Sequence, residues 1–130
     1  MNRFFACAAT AMMIAMQPLP ASAQDAAAGN KVFSKCRSCH QVGPTAKNGV
    51  GPVLNGLFGR KAGSIEGFSY SAANKASGVV WDDKTFADYI RDPRKFMPGN
   101  KMVFPGLPNE KDALDVAAFL KQYDRDGTKR

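Results

Sequence analysis

The chain has 130 residues and a formal net charge of +7, and 45% of its residues are hydrophobic. This length allows one small domain, whose own core is limited. An excess of basic residues suits nucleic acid, an anionic membrane or an acidic protein partner. Because the lysines are scattered rather than clustered in one run, they favour a docking face over a lipid-binding tail.

The N-terminus resembles a secretory signal peptide. Arg3 precedes an apolar run from Phe4 to Met16, which is shorter than the roughly 20 residues that span a bilayer. Ala21-Ser22-Ala23 then forms a small-x-small cleavage pattern. We predict that residues 1–23 are removed, together with Cys7, and that residues 24–130 form the mature domain. Retention as an N-terminal membrane anchor is the alternative. Export argues against a nucleic-acid partner.

Cap residues and apolar spacing predict an all-α domain of four to five helices with long loops. The predicted helices are Ala26 to Cys36 after Asp25, Ala72 to Ala76 after Ser71, a third from Asp82 to Asp92, and a last one after Asn109. The last helix has an apolar stripe formed by Ala113, Val116, Ala117, Leu120 and Tyr123, with Gly127 just past its end.

Two segments lack helical or strand periodicity. Residues 43–67 are rich in glycine, and residues 93–108 are rich in proline and glycine. So long a structureless segment is unusual in a compact domain. We expect it to wrap a flat cofactor.

The identity of this flat cofactor is indicated by the segment Cys36-Arg37-Ser38-Cys39-His40. A Cys-x-x-Cys-His segment is typical of c-type haem attachment, in which two thiols bind the porphyrin edge and the histidine binds the iron. A zinc site needs a fourth ligand, and the mature chain has no further Cys or His. A thioredoxin-like pair needs a βαβ setting, which is not predicted here. A plain disulfide would leave His40 unexplained.

The number of histidines and methionines limits the candidates for the sixth iron ligand. His40 is the only histidine, so a second histidine ligand from this chain is excluded. Loss of the leader leaves only Met97 and Met102, and a thioether opposite imidazole suits an electron carrier. Pro98 restricts the backbone of Met97, whereas Met102 lies mid-loop with more freedom to point inward. An open or weakly held sixth site, as in a gas binder or peroxidase, is the alternative.

A larger set of motifs extends over residues 25–123. These are Gly29 and Phe33, Cys36-x-x-Cys39-His40, Gly51-Pro52, Leu54-x-Gly56-Leu57-x-Gly59-Arg60, Gly67-Phe68-x-Tyr70, Ala73-Asn74-Lys75, Trp81, Tyr89, Pro93 and Pro98-Gly99-x-Lys101-Met102-x-Phe104. Together they resemble the class I c-type cytochromes, in particular the bacterial cytochromes c2 and mitochondrial cytochrome c. The resemblance implies the cytochrome c fold around one haem c, attached through Cys36 and Cys39, with His40 and Met102 as iron ligands.

The resemblance also implies roles for residues around the haem. The Pro52 carbonyl would accept the outer N–H of His40 and fix the orientation of the ring. Arg60, Tyr70, Ser71 and Trp81 would bind the propionate side.

On the Met102 side, Asn74 and Tyr89 would form a polar network near the sulfur, with Asn100 close by. Many relatives have Thr at the position of Asn100. Gly29 and Phe33 would pack against Val116 and Phe119 where the terminal helices cross.

The resemblance implies that the protein is a soluble, periplasmic one-electron carrier and not an enzyme. It would act as a monomer and would not insert into the membrane. Its donor would be a cytochrome bc1 complex, and its acceptor an oxidase or a photosynthetic reaction centre. Exposed basic residues would ring the haem edge and steer the carrier to acidic docking faces: Lys35, Lys47, Lys61, Lys95, Lys101 and Arg94. A zinc or redox-thiol module is a further alternative.

Overall fold

The computed structural model describes residues 24–130, so the predicted signal peptide and Cys7 lie outside the described residues. Five helices are present among these residues: α1 (Ala26–Phe33), α2 (Ala72–Ala76), α3 (Asp83–Arg91), α4 (Pro93–Phe96) and α5 (Glu110–Lys121). In this part of the chain the only β-structure is two isolated bridges, Lys61–Val80 and Tyr123–Lys129. The predicted all-α class with long loops is confirmed.

The predicted cap residues begin four of the helices. The side chains of Asp25, Ser71, Asp82 and Asn109 each accept a hydrogen bond from a backbone N–H in the first turn of the helix that follows. Asp82 also forms a capping box, because the Thr85 hydroxyl oxygen accepts the Asp82 backbone N–H. Such caps satisfy N–H groups that have no partner inside the helix, and each contributes about 1 kcal/mol.

Two helix boundaries before the C-terminal helix differ from the sequence-based prediction. α1 ends at Phe33 rather than Cys36, because the N–H groups of Lys35 and Cys36 bond three residues back, in tight turns. The segment after α3 begins with a helix, α4, instead of a loop: Pro93 occupies its first turn, and Asp92 caps it by accepting the Lys95 N–H.

The C-terminal prediction was wrong in detail. α5 ends at Lys121, and Tyr123 leaves the helix to pair with Lys129. Gly127 does not terminate the helix. It lies in a separate turn, where its N–H donates to the Asp124 carbonyl.

α1 and α5 cross in close contact. A Cβ atom added at Gly29 would lie 1.9 Å from the Asp115 carbonyl oxygen, so only glycine allows the two backbones to approach this closely. The Phe33 and Phe119 rings are 5.0 Å apart, and Phe33 and Val116 are almost fully buried. This confirms the predicted contact between the terminal helices and accounts for a glycine inside α1, which otherwise costs about 1 kcal/mol.

α5 also packs on α3, and the loops between α1 and α2 and between α4 and α5 surround a cavity on this helical scaffold. No helix within residues 24–130 is long and apolar enough to cross a membrane.

Candidate cofactor-binding site

The segment after α1 presents two cysteines and a histidine to the cavity. The N–H groups of Cys39 and His40 both donate to the Cys36 carbonyl, at 3.1 and 2.9 Å, so the chain turns sharply here. Cys36 and Cys39 are half-buried and are not bonded to each other. Burial, and after it the charge of Cys39, raises the pKa of the Cys36 thiol. This turn therefore directs three chemically reactive side chains to one wall of the cavity.

The backbone of Gly51 and Pro52 fixes the position of the His40 ring. Its Nδ1 lies 2.7 Å from the Pro52 carbonyl oxygen, and since a carbonyl can only accept, Nδ1 carries the proton. A Cβ atom at Gly51 would lie 2.3 Å from Cε1 of the ring, so glycine is required for this contact. Burial lowers the pKa of His40, which favours the neutral imidazole. Nε2 is then an unprotonated nitrogen that can bind a metal.

Met102 lines the same cavity and is held in two ways. Its sulfur accepts a hydrogen bond from the Tyr89 hydroxyl at 3.6 Å, and its backbone N–H donates to Asn100 Oδ1 at 2.9 Å. Burial raises the pKa of Tyr89 to about 12, so the hydroxyl remains a donor at neutral pH. Met97 is 4% exposed, lies in the hydrophobic core and does not line the cavity.

The remaining predicted residues also line the cavity. Arg60 donates from its two terminal nitrogens to the carbonyls of Asn55 and Val53, and burial lowers its pKa from the usual value. The Tyr70 hydroxyl oxygen accepts the Ile65 N–H, and the Ser71 hydroxyl oxygen accepts the Asn74 N–H.

Trp81 and Asn74 line the cavity as well. Trp81 is buried, with its ring 5.1 Å from that of Tyr89. The Oδ1 atom of Asn74 is buried and has no hydrogen-bond partner within residues 24–130.

One cavity of about 490 Å³ joins these groups, and every predicted site residue lines it. Its remaining walls are mainly apolar, with contributions from Leu54, Leu57, Phe86, Ile90, Val116 and Leu120. Cavities of this size and character hold cofactors and other small molecules.

The chain is similar in sequence to a known protein family. The sequence profile of the family described as Cytochrome c matches residues 26–124. This match covers most of the chain and includes both cysteines, His40 and Met102. The chain belongs to the cytochrome c family. It is an electron carrier with a covalently bound haem c.

Individual relatives of this cytochrome are similar over almost their full length. Cytochrome c2 of Blastochloris viridis is 53% identical over 118 residues, which cover 91% of this chain and 93% of that protein. Cytochrome c2 of Rhodoblastus acidophilus is 59% identical over 107 residues, which cover 82% of this chain and all of the relative. The solved structure of cytochrome cH from Methylobacterium extorquens has a TM-score of 0.71 at 47% identity and covers 75% of this chain and 97% of its own.

The residues of this cytochrome fit a haem. Thiols and an imidazole lie at one wall, a thioether lines the same cavity, and the apolar lining suits a flat hydrophobic ring. The unpaired Asn74 oxygen needs a donor that the protein does not supply, such as an ordered water beside the bound group.

The structure separates the predicted basic ring into two groups. Lys35 and Lys101 line the cavity, whereas the other four residues, Lys47, Lys61, Lys95 and Arg94, are exposed but do not line it. Sequence reasoning missed two exposed apolar residues at the cavity, Val50 at 79% and Val103 at 87% exposure. It also missed the contacts of Asn100, because a single polar residue in a loop carries no periodic signal.

Proposed function

We propose that this cytochrome is a periplasmic carrier that accepts and donates single electrons, with Cys36 and Cys39 attaching the haem and with His40 and Met102 as the iron ligands. When bound, the haem iron supplies one-electron chemistry by alternating between ferric and ferrous states. The observation that supports this assignment most strongly is the position of Met102. It lines the cavity together with His40, whereas Met97 belongs to the core.

The protein groups have distinct tasks in this proposal. Pro52 orients His40 through Nδ1, which leaves Nε2 as the ligand atom. Tyr89 directs the Met102 sulfur into the cavity through its hydroxyl. With His40 and Met102 both holding the iron, no protein-free position would remain there for a substrate. The protein is therefore proposed not to be an enzyme, and the gas-binder and peroxidase alternatives are not favoured.

The partners are proposed to be acidic faces of membrane redox complexes. Lys35 and Lys101 place positive charge at the mouth of the cavity, where an electron would enter or leave. Electrostatic steering would raise the association rate, and the complexes would be weak and sensitive to salt. A cytochrome bc1 complex as donor and an oxidase or reaction centre as acceptor fit this chemistry. We propose that the carrier acts as a monomer after removal of residues 1–23.

Replacing each methionine tests the ligand assignment. Met102→Ala should abolish the iron–sulfur absorption band of the ferric holoprotein and lower its reduction potential, because a thioether ligand favours the ferrous state. Met97→Ala is the matched control. It should reduce stability by about 2–5 kcal/mol, as expected for a buried methionine, and leave the band in place. Loss of the band in Met97→Ala alone would refute the assignment.

A further inference from the structure

Asn100 makes three hydrogen bonds to backbone. Its Nδ2 donates to the carbonyl oxygens of Pro93 and Met97, both at 2.8 Å. Its Oδ1 accepts the N–H of Met102 at 2.9 Å. The first two acceptors belong to the first residue of α4 and to the residue that caps its C-terminus. One half-buried side chain thus links the end of a helix to the backbone of the proposed iron ligand.

These contacts define the orientation of the Asn100 amide. Exchanging its nitrogen and oxygen would place an oxygen against two carbonyls and an NH2 group against the Met102 N–H. All three hydrogen bonds would be lost, so only the described orientation is compatible with the surroundings.

The loop around Met102 has few other backbone contacts. From residue 101 to residue 106, all within the described chain, no backbone N–H donates to a backbone carbonyl. The next such bond runs from the Leu107 N–H to the Ile90 carbonyl. Between these points, the Met102 N–H is held by Asn100, and Lys101 Nζ contacts the Ser69 carbonyl at 3.2 Å. Within the described residues, Asn100 is therefore the one group that accepts a hydrogen bond from the Met102 backbone.

We propose that Asn100 is a positioning residue that keeps Met102 on the iron by tying its backbone to the carbonyls of the first residue and the C-cap of α4. This inference rests on the proposed ligation by Met102. Movement of this loop away from the iron would break the three bonds of Asn100. Asn100 consequently resists displacement of Met102 without touching the iron. A threonine at this position has one hydroxyl proton and could not donate to both carbonyls of α4.

Displacement of Met102 by imidazole tests this role. The ferric holoprotein is titrated with imidazole at neutral pH, and loss of the iron–sulfur band reports replacement of the sulfur. A net hydrogen-bond contribution of about 1 kcal/mol corresponds to about a fivefold change in an equilibrium constant. We therefore expect Asn100→Ala to bind imidazole about fivefold more tightly than the wild type, with the band still present before imidazole is added.

Two further variants distinguish the hydrogen bonds that Asn100 donates to α4 and its C-cap from the one that it accepts from Met102. Asn100→Asp retains an acceptor for the Met102 N–H but has no N–H for α4, so it should resemble Asn100→Ala. Asn100→Thr should give an intermediate affinity. Imidazole affinity of Asn100→Asp equal to that of the wild type would overturn the proposed tie to α4.

A control variant distinguishes positioning from a general loss of stability. Asn109→Ala removes the cap of α5, where the asparagine accepts the Lys111 N–H, and should cost about 1 kcal/mol of unfolding free energy. It has no contact with Met102 and should leave imidazole affinity unchanged. If Asn100→Ala lowers stability but binds imidazole like Asn109→Ala, the positioning role is refuted.

The Met102→Ala protein separates this inference from the proposed function. An iron–sulfur band that persists in Met102→Ala would refute ligation by Met102 and, with it, the positioning role of Asn100. A band lost in Met102→Ala, combined with wild-type imidazole affinity in Asn100→Ala, would refute the role of Asn100 alone.

Discussion

Gly29→Ala is expected to destabilise this cytochrome, although alanine is the better helix former. The new Cβ would lie 1.9 Å from the Asp115 carbonyl oxygen and 2.9 Å from Phe119 Cβ. An ordinary contact begins near 3.4 Å, so α1 and α5 would have to separate by roughly 1.5 Å where Phe33 and Phe119 now pack. Overpacking costs about 1–3 kcal/mol or more, and the gain in helix propensity is about 1 kcal/mol. Because so large a shift falls at the upper end of that cost, we expect a net loss of about 2 kcal/mol.

Chemical denaturation of the holoprotein, followed by circular dichroism, measures this loss. Gly49→Ala is the matched control, because its Cβ would lie 3.7 Å from the nearest atom, the Cys39 carbonyl oxygen, and Gly49 does not have a positive φ. That substitution should change the unfolding free energy by less than about 1 kcal/mol. Equal stability of the two variants would refute the claim that close approach of the terminal helices requires Gly29.

Two other predictions concern charge. Lys35→Gln and Lys101→Gln should slow electron exchange with an isolated bc1 complex at low ionic strength, and the difference from wild type should vanish in high salt. Lys129→Gln, which lies away from the cavity, is the control and should have little effect. A salt dependence that none of the three substitutions changes would reject electrostatic steering. The Lys111 ammonium, and then the Asp25 N–H, lower the pKa of Asp115, so its contribution to stability is present above pH 3.8 and lost as pH falls through the lowered value. Asp115→Asn should therefore be less stable than wild type at pH 7, and in thermal unfolding the difference should shrink as the pH falls below 3.8; a difference that stays constant as the pH falls would contradict this.

Local chemistry explains which parts of the fold could be predicted from sequence. Ser71 and Asp82 are short polar side chains followed by helix-forming residues, and both begin helices as predicted. α4 escaped prediction because four residues contain too little periodicity, and Pro93 can end one helix or begin another. The end of α1 was placed too late, since the tight turns before Cys36 depend on the position of the attachment segment rather than on helix propensity.

The candidate site divides in the same way. Cys36, Cys39 and His40 are adjacent in sequence, so their spacing alone indicates the chemistry. The choice between Met97 and Met102 was harder, because it depends on which loop face meets the cavity, a tertiary property. Asn100 was located near the site through family resemblance, but two of its three backbone contacts are to α4 and its C-cap, a helix that the sequence-based prediction did not contain.

Exposure of the reduced holoprotein to carbon monoxide tests the carrier function most directly. With His40 and Met102 both bound, the ferrous iron has no open position, so we predict that the absorption spectrum at neutral pH stays unchanged on mixing. Met102→Ala should bind carbon monoxide promptly and serves as the positive control. Rapid and complete binding by the wild-type protein would contradict ligation by Met102, and with it the proposal that this cytochrome only carries electrons.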